Sequence, residues 1–538
     1  MSPEYIHLWQ FLPPLLYAET HFRFRFIPSL LFKKEPELIA DAPHRLEPNT
    51  SLPVMILVKD ADKFPVRLRS VVARISHPSK KKEFSLFSGD EAITQKFWWK
   101  VFKISCDGIS GWANVDVSMT VEINGRTKTY HNDNHRTSTK QPLRIYFSET
   151  PLPSVHGLSW GEAHSHSQYT DDQVECGSPI EPTAALARAL GLRFFCATDH
   201  SYDLDDAVDS YVTPDPALPK WKAFQHEVDR VNKSLRDFAV IRGEEVTCRN
   251  VHGKNVHLLL LGTRKFFWGS GDGGERGLDN ATEHSIPEIL SAKDVTTVAF
   301  AAHAMEPVPF IQRLLLNRGS WTREDVRETK LHGIQFANGK QDAGFRTGRE
   351  EWIAALLSGK KMFCLAGDDA HGNFNRFRQV QIPHVRLHES SDQLFGKMRT
   401  GIFSARVTEK AFLTALANGS TIISDGPVAN IWLHRERGTT SVGKVFPHSS
   451  NPIRVLAMSS KEFGSLSSVK LFEGIIGEKE ERCTLTIESF SDPFHFEKHF
   501  TVNDDRDSYI RVEVWTKSAS CDAQPHFCFT NPVWLLDK

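Results

Sequence analysis

At 538 residues the chain is too long for one hydrophobic core, and its length suggests roughly three or four domains. Apolar residues at 40% and charged residues at 24% are globular proportions, which exclude a disordered or fibrous chain. The 65 Lys and Arg offset 66 Asp and Glu, so no bulk charge recruits nucleic acid or an anionic membrane. In chain order, Met1–Phe32 comes first; Pro13 and Pro14 interrupt its apolar piece Phe11–Tyr17, and no basic stretch precedes a cleavable apolar run. No signal peptide is read there. Nowhere does the chain approach the ~18 uninterrupted apolar residues of a membrane span. The run Lys80-Lys81-Lys82 reads as a solvated loop. Eight cysteines (Cys106, Cys176, Cys196, Cys248, Cys364, Cys483, Cys521 and Cys528) lack paired zinc-ribbon spacing, and Cys196 and Cys364 lie in strand-like runs. Reduced thiols in a cytoplasmic protein are the expectation.

From Leu52 to Phe147, short runs such as Val54–Val58, Val71–Ile75 and Val115–Val121 alternate with turn residues. This predicts a β-sandwich-like domain over 1–150. From Gly157 the rhythm becomes apolar strand, polar loop, helix. The helix-like Pro182–Leu190, with Pro182 in its first turn and Gly191 at its exit, leads into Arg193–Ala197. Such alternation predicts a parallel α/β sheet or barrel over 151–425. After Gly426-Pro427 short alternating strands return, up to Pro532–Leu536, and predict a second β-rich domain over 426–538. Gly269–Gly277 is glycine-rich but lacks the Lys-Ser/Thr of a phosphate-binding loop.

Strand ends carry the chemistry. His164-Ser165-His166 is a weak signal alone, but on a strand alternate residues share a face, so both imidazoles can meet one ion. Asp171 follows five residues later, placed to bind a second ion or orient a histidine. Further strands end on Thr198-Asp199-His200 and on Gly243-Glu244-Glu245. His257 heads the run Asn255–Leu261, Val298–Ala302 ends on His303, His332–Gly339 has a polar end, and Met362–Ala366 runs into Gly367-Asp368-Asp369-Ala370-His371. Counted from His164, these make seven strands. Any one histidine is readily explained as a core or loop residue. Seven apolar strands that each meet a His, Asp, Glu or Asn near one end are not, and the carboxyl ends of barrel strands are where such folds build sites.

In order, His164-x-His166, Asp171, Thr198-Asp199-His200, Gly-x-Glu245, His257, His303 and Gly367-x-Asp369-Ala-His371 resemble the motifs of the polymerase-and-histidinol-phosphatase metallohydrolases. The resemblance spans about Gly157 to Asn418. It implies a distorted (β/α)7 barrel, two or three divalent ions (manganese, zinc or iron), and mostly phosphoester hydrolysis. Carried over by position, the ligands are His164, His166, His200, Glu245, His257, His303, Asp369 and His371, with Asp171 a further candidate. Gly401–Phe403, Phe412–Pro427 and Thr530–Trp534 are similar to a carbaryl-hydrolase-like branch of these enzymes, which also has flanking β-domains. Two departures stand out: Glu162 replaces the usual Asp, and Asp368 stands where Ser is common. The Gly-x-Glu spacing selects Glu245 over its neighbour Glu244.

Divalent ions acidify water and polarise the oxygen under attack, so no protein nucleophile is required. His164, His166 and Asp369 are assigned to one ion and Glu245 to a bridge, with His200, His257, His303 and His371 shared among the others. Asp199 and His371 are the candidate catalytic residues, Asp199 as partner to His200 or proton acceptor. A phosphate substrate calls for a nearby cation, for which Lys340, Arg346, Arg376 and Arg378 are available. The expected partner is a small, phosphorylated molecule, with neither nucleic acid nor membrane. Two alternatives stand beside the phosphoesterase: a carbamate or carboxylic ester hydrolase on the same metals, and a binding protein without activity.

Overall fold

The computed structural model describes residues 35–537 except 136–139, 172–176, 211–212, 274–278, 376–378, 383–384, 389–392, 434–439, 449–450, 503–505 and 520–523. The reading of Met1–Phe32, Cys176, Cys521, Arg376, Arg378 and the end of the glycine-rich loop therefore lies outside the described residues. Near the N-terminus, strands Glu37–Asp41, Leu52–Lys59 and Phe97–Ile104 form one sheet. A second sheet is built around Val66–His77 and Gly111–Ile123. Along Gly111–Ile123 burial alternates with period two, so one face packs inward. Val54, Ile56 and Val58 of the first sheet share a core with Val71, Ala73, Val115 and Val117 of the second.

The next part of the chain is mixed α/β. Strands β1 (Leu158–His166), β2 (Phe194–Ala197), β3 (Ala239–Arg249), β4 (Asn255–Leu261), β5 (Val298–Ala301), β6 (Gly333–Asn338) and β7 (Phe363–Gly367) lie side by side in that order. The row curls: Ala370–His371, just past β7, pairs in parallel with Ser165–His166 of β1. Helix Ile180–Ala189 joins β1 to β2, and Gly191 at φ +93° ends its exit turn. Helices also occupy the connections from β2 to β3, β4 to β5, β5 to β6 and β6 to β7.

The row is not wholly parallel, against the sequence expectation. β4 runs antiparallel to both β3 and β5. The reason lies in residues 250–254, where the Asn250 carboxamide oxygen accepts the N–H groups of His252 and Lys254 in a tight turn. A parallel crossover needs a dozen or more residues, so so short a link can only make a hairpin. The reversal has a consequence for the site: the start of β4, with His257, comes to the end where its neighbours finish.

Curling follows from the inward faces. Phe194 and Cys196, Ala239 and Ile241, Leu259 and Leu261, Val298 and Phe300, and Phe363 and Leu365 meet in one apolar core. Phe412, Ala415 and Leu416 of helix Glu409–Ala417 join that core. On β3 Glu245 lies four residues beyond Ile241 and on β4 His257 lies two before Leu259, so these faces turn from apolar to ligand-bearing along their length, while His200 and Asp369 stand just past the ends of β2 and β7.

The sheet does not stop at residue 425. Arg399–Phe403 pairs with β1, Thr421–Ser424 pairs with it in turn, and Phe527–Thr530 pairs with Thr421–Ser424. The Asn531 carboxamide accepts the Cys364 N–H and donates to the Thr421 hydroxyl, fastening the last strands to β7. Val428–Leu433, Asn451–Met458 and His495–Val502 form a separate three-stranded sheet. Among the described residues, no helix is long and apolar enough to cross a membrane.

Candidate metal centre

The buried carboxylate of Glu245 is ringed by imidazoles. Its Oε1 lies 2.8 Å from His257 Nδ1 and 3.0 Å from His303 Nε2. Its Oε2 lies 3.0 Å from His200 Nδ1, 3.3 Å from His164 Nε2 and 3.4 Å from His166 Nε2. Asp369 closes the other side, with Oδ1 2.9 Å from His166 Nε2 and 3.3 Å from His164 Nε2. The His371 ring stacks on His166 at 4.1 Å.

Neighbours fix which nitrogen His164, His257 and His371 present. The Gln335 amide donates to the Asn338 side chain and the Gly367 carbonyl, so its oxygen must accept from His164 Nδ1, at 2.8 Å. That leaves His164 Nε2 as the lone pair facing the cluster. Asp272 accepts from His257 Nε2 at 2.9 Å and from the Thr247 hydroxyl at 2.6 Å, which turns His257 Nδ1 inward. His371 Nδ1 donates to the Asp369 carbonyl at 3.0 Å.

Burial alone would raise the Glu245 carboxyl, but His257, His164 and His200 hold it well below the usual carboxylate range. Asp369 is likewise held low against burial by His164 and His166. Burial pulls His164 and His257 down, yet Glu245 with Asp369 or Asp272 pushes them up to about 10 and about 9. His166 goes the other way, driven down by burial and by His371 and His200.

These donors fit divalent cations. Among the described residues, the buried His164 Nε2, His200 Nδ1 and Glu245 Oε2 meet no polar partner outside the cluster; they face one another, His164 Nε2 3.3 Å and His200 Nδ1 3.0 Å from Glu245 Oε2. Unsatisfied polar atoms are costly in a native interior unless something else binds them. Among the described residues, ligand atoms converge in three overlapping groups: His164, His166, Glu245 and Asp369; His200, Glu245 and His257; His166, His200 and His371. Nitrogen and carboxylate donors of this kind suit manganese, iron and zinc. Two residues hold backbone conformations uncommon outside glycine, His303 at φ +28° and Asp369 at φ +52°. Strain at such positions concentrates at functional sites.

Eight of the sequence-selected ligands thus come together. Asp171 does not join them: its carboxylate lies between Lys59 and Lys96. Asp199 is not bonded to His200; its oxygens accept the Ser167 N–H and hydroxyl, each at 2.7 Å, and the Thr170 N–H at 3.0 Å. Glu244 is buried elsewhere, accepting from the Ser201 hydroxyl and the Phe267 N–H. The two departures face each other: Glu162 accepts the backbone N–H groups of His164, Asp368 and Gly396, and burial raises both Glu162 and Asp368. Lys340 and Arg346 are exposed, Lys340 lying 3.9 Å from Asp342.

Sequence reasoning missed Gln335, Asp272 and Arg318. Gln335 lay in the strand with the polar end and Asp272 in the glycine-rich loop, both noticed without a role. Arg318 follows helix Phe310–Leu315 and had no local signal. Its guanidinium Nη2 lies 3.3 Å from His257 Nδ1 and its Nε 3.8 Å from Asp272, with a side chain 24% exposed.

No family model matches the chain, and no curated protein matches it. Among solved structures, a Paenibacillus cycloisomaltooligosaccharide glucanotransferase complexed with cycloisomaltoheptaose is 9% identical over 92% of this chain and 71% of its own, with a TM-score of 0.16. The Parabacteroides merdae beta-glucuronidase with glycerol in its active site is 9% identical over 93% of this chain and 63% of its own, with a TM-score of 0.19. Neither likeness bears on the fold or chemistry of this chain.

Proposed function

We propose that the chain is a metal-dependent hydrolase acting on phosphoesters, of the polymerase-and-histidinol-phosphatase kind, with two or three divalent cations around Glu245. In this reading β1 to β7 serve as the distorted (β/α)7 barrel, flanked by the β-rich regions 1–150 and 426–538. The observation that carries it is the buried Glu245 Oε2, on which three imidazole nitrogens converge at 3.0 to 3.4 Å. The buried free thiols of Cys196, Cys248, Cys364 and Cys528 support a cytoplasmic setting.

Bound there, divalent cations would supply Lewis-acid polarisation of the substrate and a more acidic water. The chain's own residues do the rest. Glu245 spans the histidine groups, while Gln335 and Asp272 keep His164 and His257 in their ligating tautomers. Asp199, with three donors on its oxygens, acts here by holding the turn after His166. His371 belongs with His166 and His200. Arg318 gives the site a guanidinium beside His257, suited to phosphoryl oxygens. That cation favours an anionic phosphoester over a neutral carbamate or carboxylic ester.

The test is metal content by elemental analysis together with manganese-dependent turnover of p-nitrophenyl phosphate, p-nitrophenyl acetate and a naphthyl carbamate. Wild type is compared with His164→Ala and Asp369→Ala. Two or three metals per chain, with phosphate turnover lost in both variants, is the expected result. Turnover of only the ester or carbamate would transfer the metal centre to the second substrate class. A chain that takes up no manganese and turns over nothing would sink the reading and leave a binding protein.

A further inference from the structure

Two lysines of the N-terminal region meet on Asp171, five residues past His166. Lys59 ends strand Leu52–Lys59, and Lys96 directly precedes Phe97–Ile104, which pairs with it. Lys59 Nζ lies 2.6 Å from Asp171 Oδ1, and Lys96 Nζ lies 2.6 Å from Asp171 Oδ2. The side chains of Lys59 and Asp171 are only 3% and 8% exposed. A metal ion at these oxygens would sit against two ammonium groups, which Coulomb repulsion opposes. A buried charge group of this kind holds only when every member is paired, and removing one partner leaves an uncompensated charge.

Asp171 is tied to the ligands by a short path. Its neighbour Thr170 has its hydroxyl 3.3 Å from His166 Nδ1 and gives its N–H to Asp199. A second tie lies across the site. Asp41 Oδ2 accepts the Phe374 N–H at 3.0 Å, and the Asn375 side chain exchanges hydrogen bonds with the Arg144 backbone at 3.0 and 2.8 Å. The N-terminal sheets therefore grip the segments that leave both His166 and His371. Among the described residues, those two histidines, with His200, form the one ligand group without a carboxylate. Neutral imidazoles bring no charge to hold a cation, so that group depends most on being held in place.

We propose that Lys59, Lys96 and Asp171 form a latch through which the N-terminal sheets position the His166–His200–His371 metal position, and that Asp171 is a positioning residue and not a ligand. The inference rests on the metal-centre reading above. It makes the N-terminal region part of the working site.

The experiment loads manganese(II) into full-length wild type, Asp171→Asn, the pair Lys59→Met with Lys96→Met, and the neutral triple of all three changes. Metal content, release rate into a chelator and thermal unfolding are followed. The triple removes the charges together, so it tests the latch even where a single change misfolds. Expected is loss of one metal equivalent, or release at least tenfold faster for that equivalent, in the lysine pair and the triple as in Asp171→Asn. The remaining equivalents keep wild-type release, and Lys59→Arg restores the lost one. Wild-type retention in the triple would overturn the latch. Loss in Asp171→Asn with full retention in the lysine pair would overturn it too, making Asp171 a ligand. A wild type that binds no manganese would fail at the earlier step and overturn both readings.

Discussion

Glu244 and Glu245 are adjacent on β3, and their environments differ completely. Glu245 faces five histidines, whereas Glu244 bonds Ser201 and Phe267 and is pushed well up by burial, with Asp205 adding to the rise. A neutral amide therefore keeps the shape and the acceptor oxygen that Ser201 and Phe267 use at position 244, but removes the central anion at position 245. Glu245→Gln is expected to lose bound metal and at least 100-fold in turnover, while Glu244→Gln keeps its metal; elemental analysis of the two variants decides it. Loss in both would return the choice between them to open. The protons on this cluster give a second prediction. His164 and His257 titrate near 10 and 9, so at neutral pH the metal-free chain carries protons that ligation must displace. Raising the pH from 7 to 9 should strengthen manganese binding by about tenfold per unit for each proton displaced. Calorimetry in two buffers of different ionisation enthalpy counts those protons, and an affinity indifferent to pH would argue against these assignments.

At the scale of elements, the ligand set was legible because a period-two face puts Glu245 and His257 in line with the apolar positions of their strands, and because His200 and Asp369 directly follow the apolar runs that reveal β2 and β7. The hairpin was not, because Leu258–Leu261 is apolar on both faces and reads like a parallel core strand. Only the short Asn250–Lys254 turn distinguishes the two. Asp272 escaped for a different reason: a glycine-rich loop has no periodicity, so nothing local says which side chain points at a histidine. Lys59 and Lys96 meet Asp171 across a great distance in sequence, which no local pattern records. Asp272 offers a test of how much this hidden support matters. Asp272→Ala should weaken manganese binding by 10- to 100-fold while leaving all the direct ligands in place. An unchanged affinity would mean that Thr247 and the strand backbone orient His257 well enough alone.

Across the whole molecule, the centre is a concentration of buried opposed charges, and this sets how stability should follow pH. Glu245, Asp369 and Asp272 have lowered values, so the stability they contribute is present above the ordinary carboxylate range and is lost as pH falls. His164 and His257 have raised values, so their contribution is complete below 6.5 and is lost as pH rises towards about 9 and 10. These five groups together therefore stabilise the metal-free chain most between about pH 5 and 6.5. Its unfolding temperature should then decline steadily up to pH 9. Cations bound at the centre replace those protons, and a ligand that binds only the folded state adds about 2.7 kcal/mol at 100 times its dissociation constant. Because the affinity itself grows with pH, the gap in unfolding temperature between manganese-loaded and metal-free protein should widen from pH 6.5 to 9. Thermal melts of both forms across that range measure it directly. A gap that stays constant would show that the cations do not compete with the histidine protons, and would place any bound metal away from Glu245.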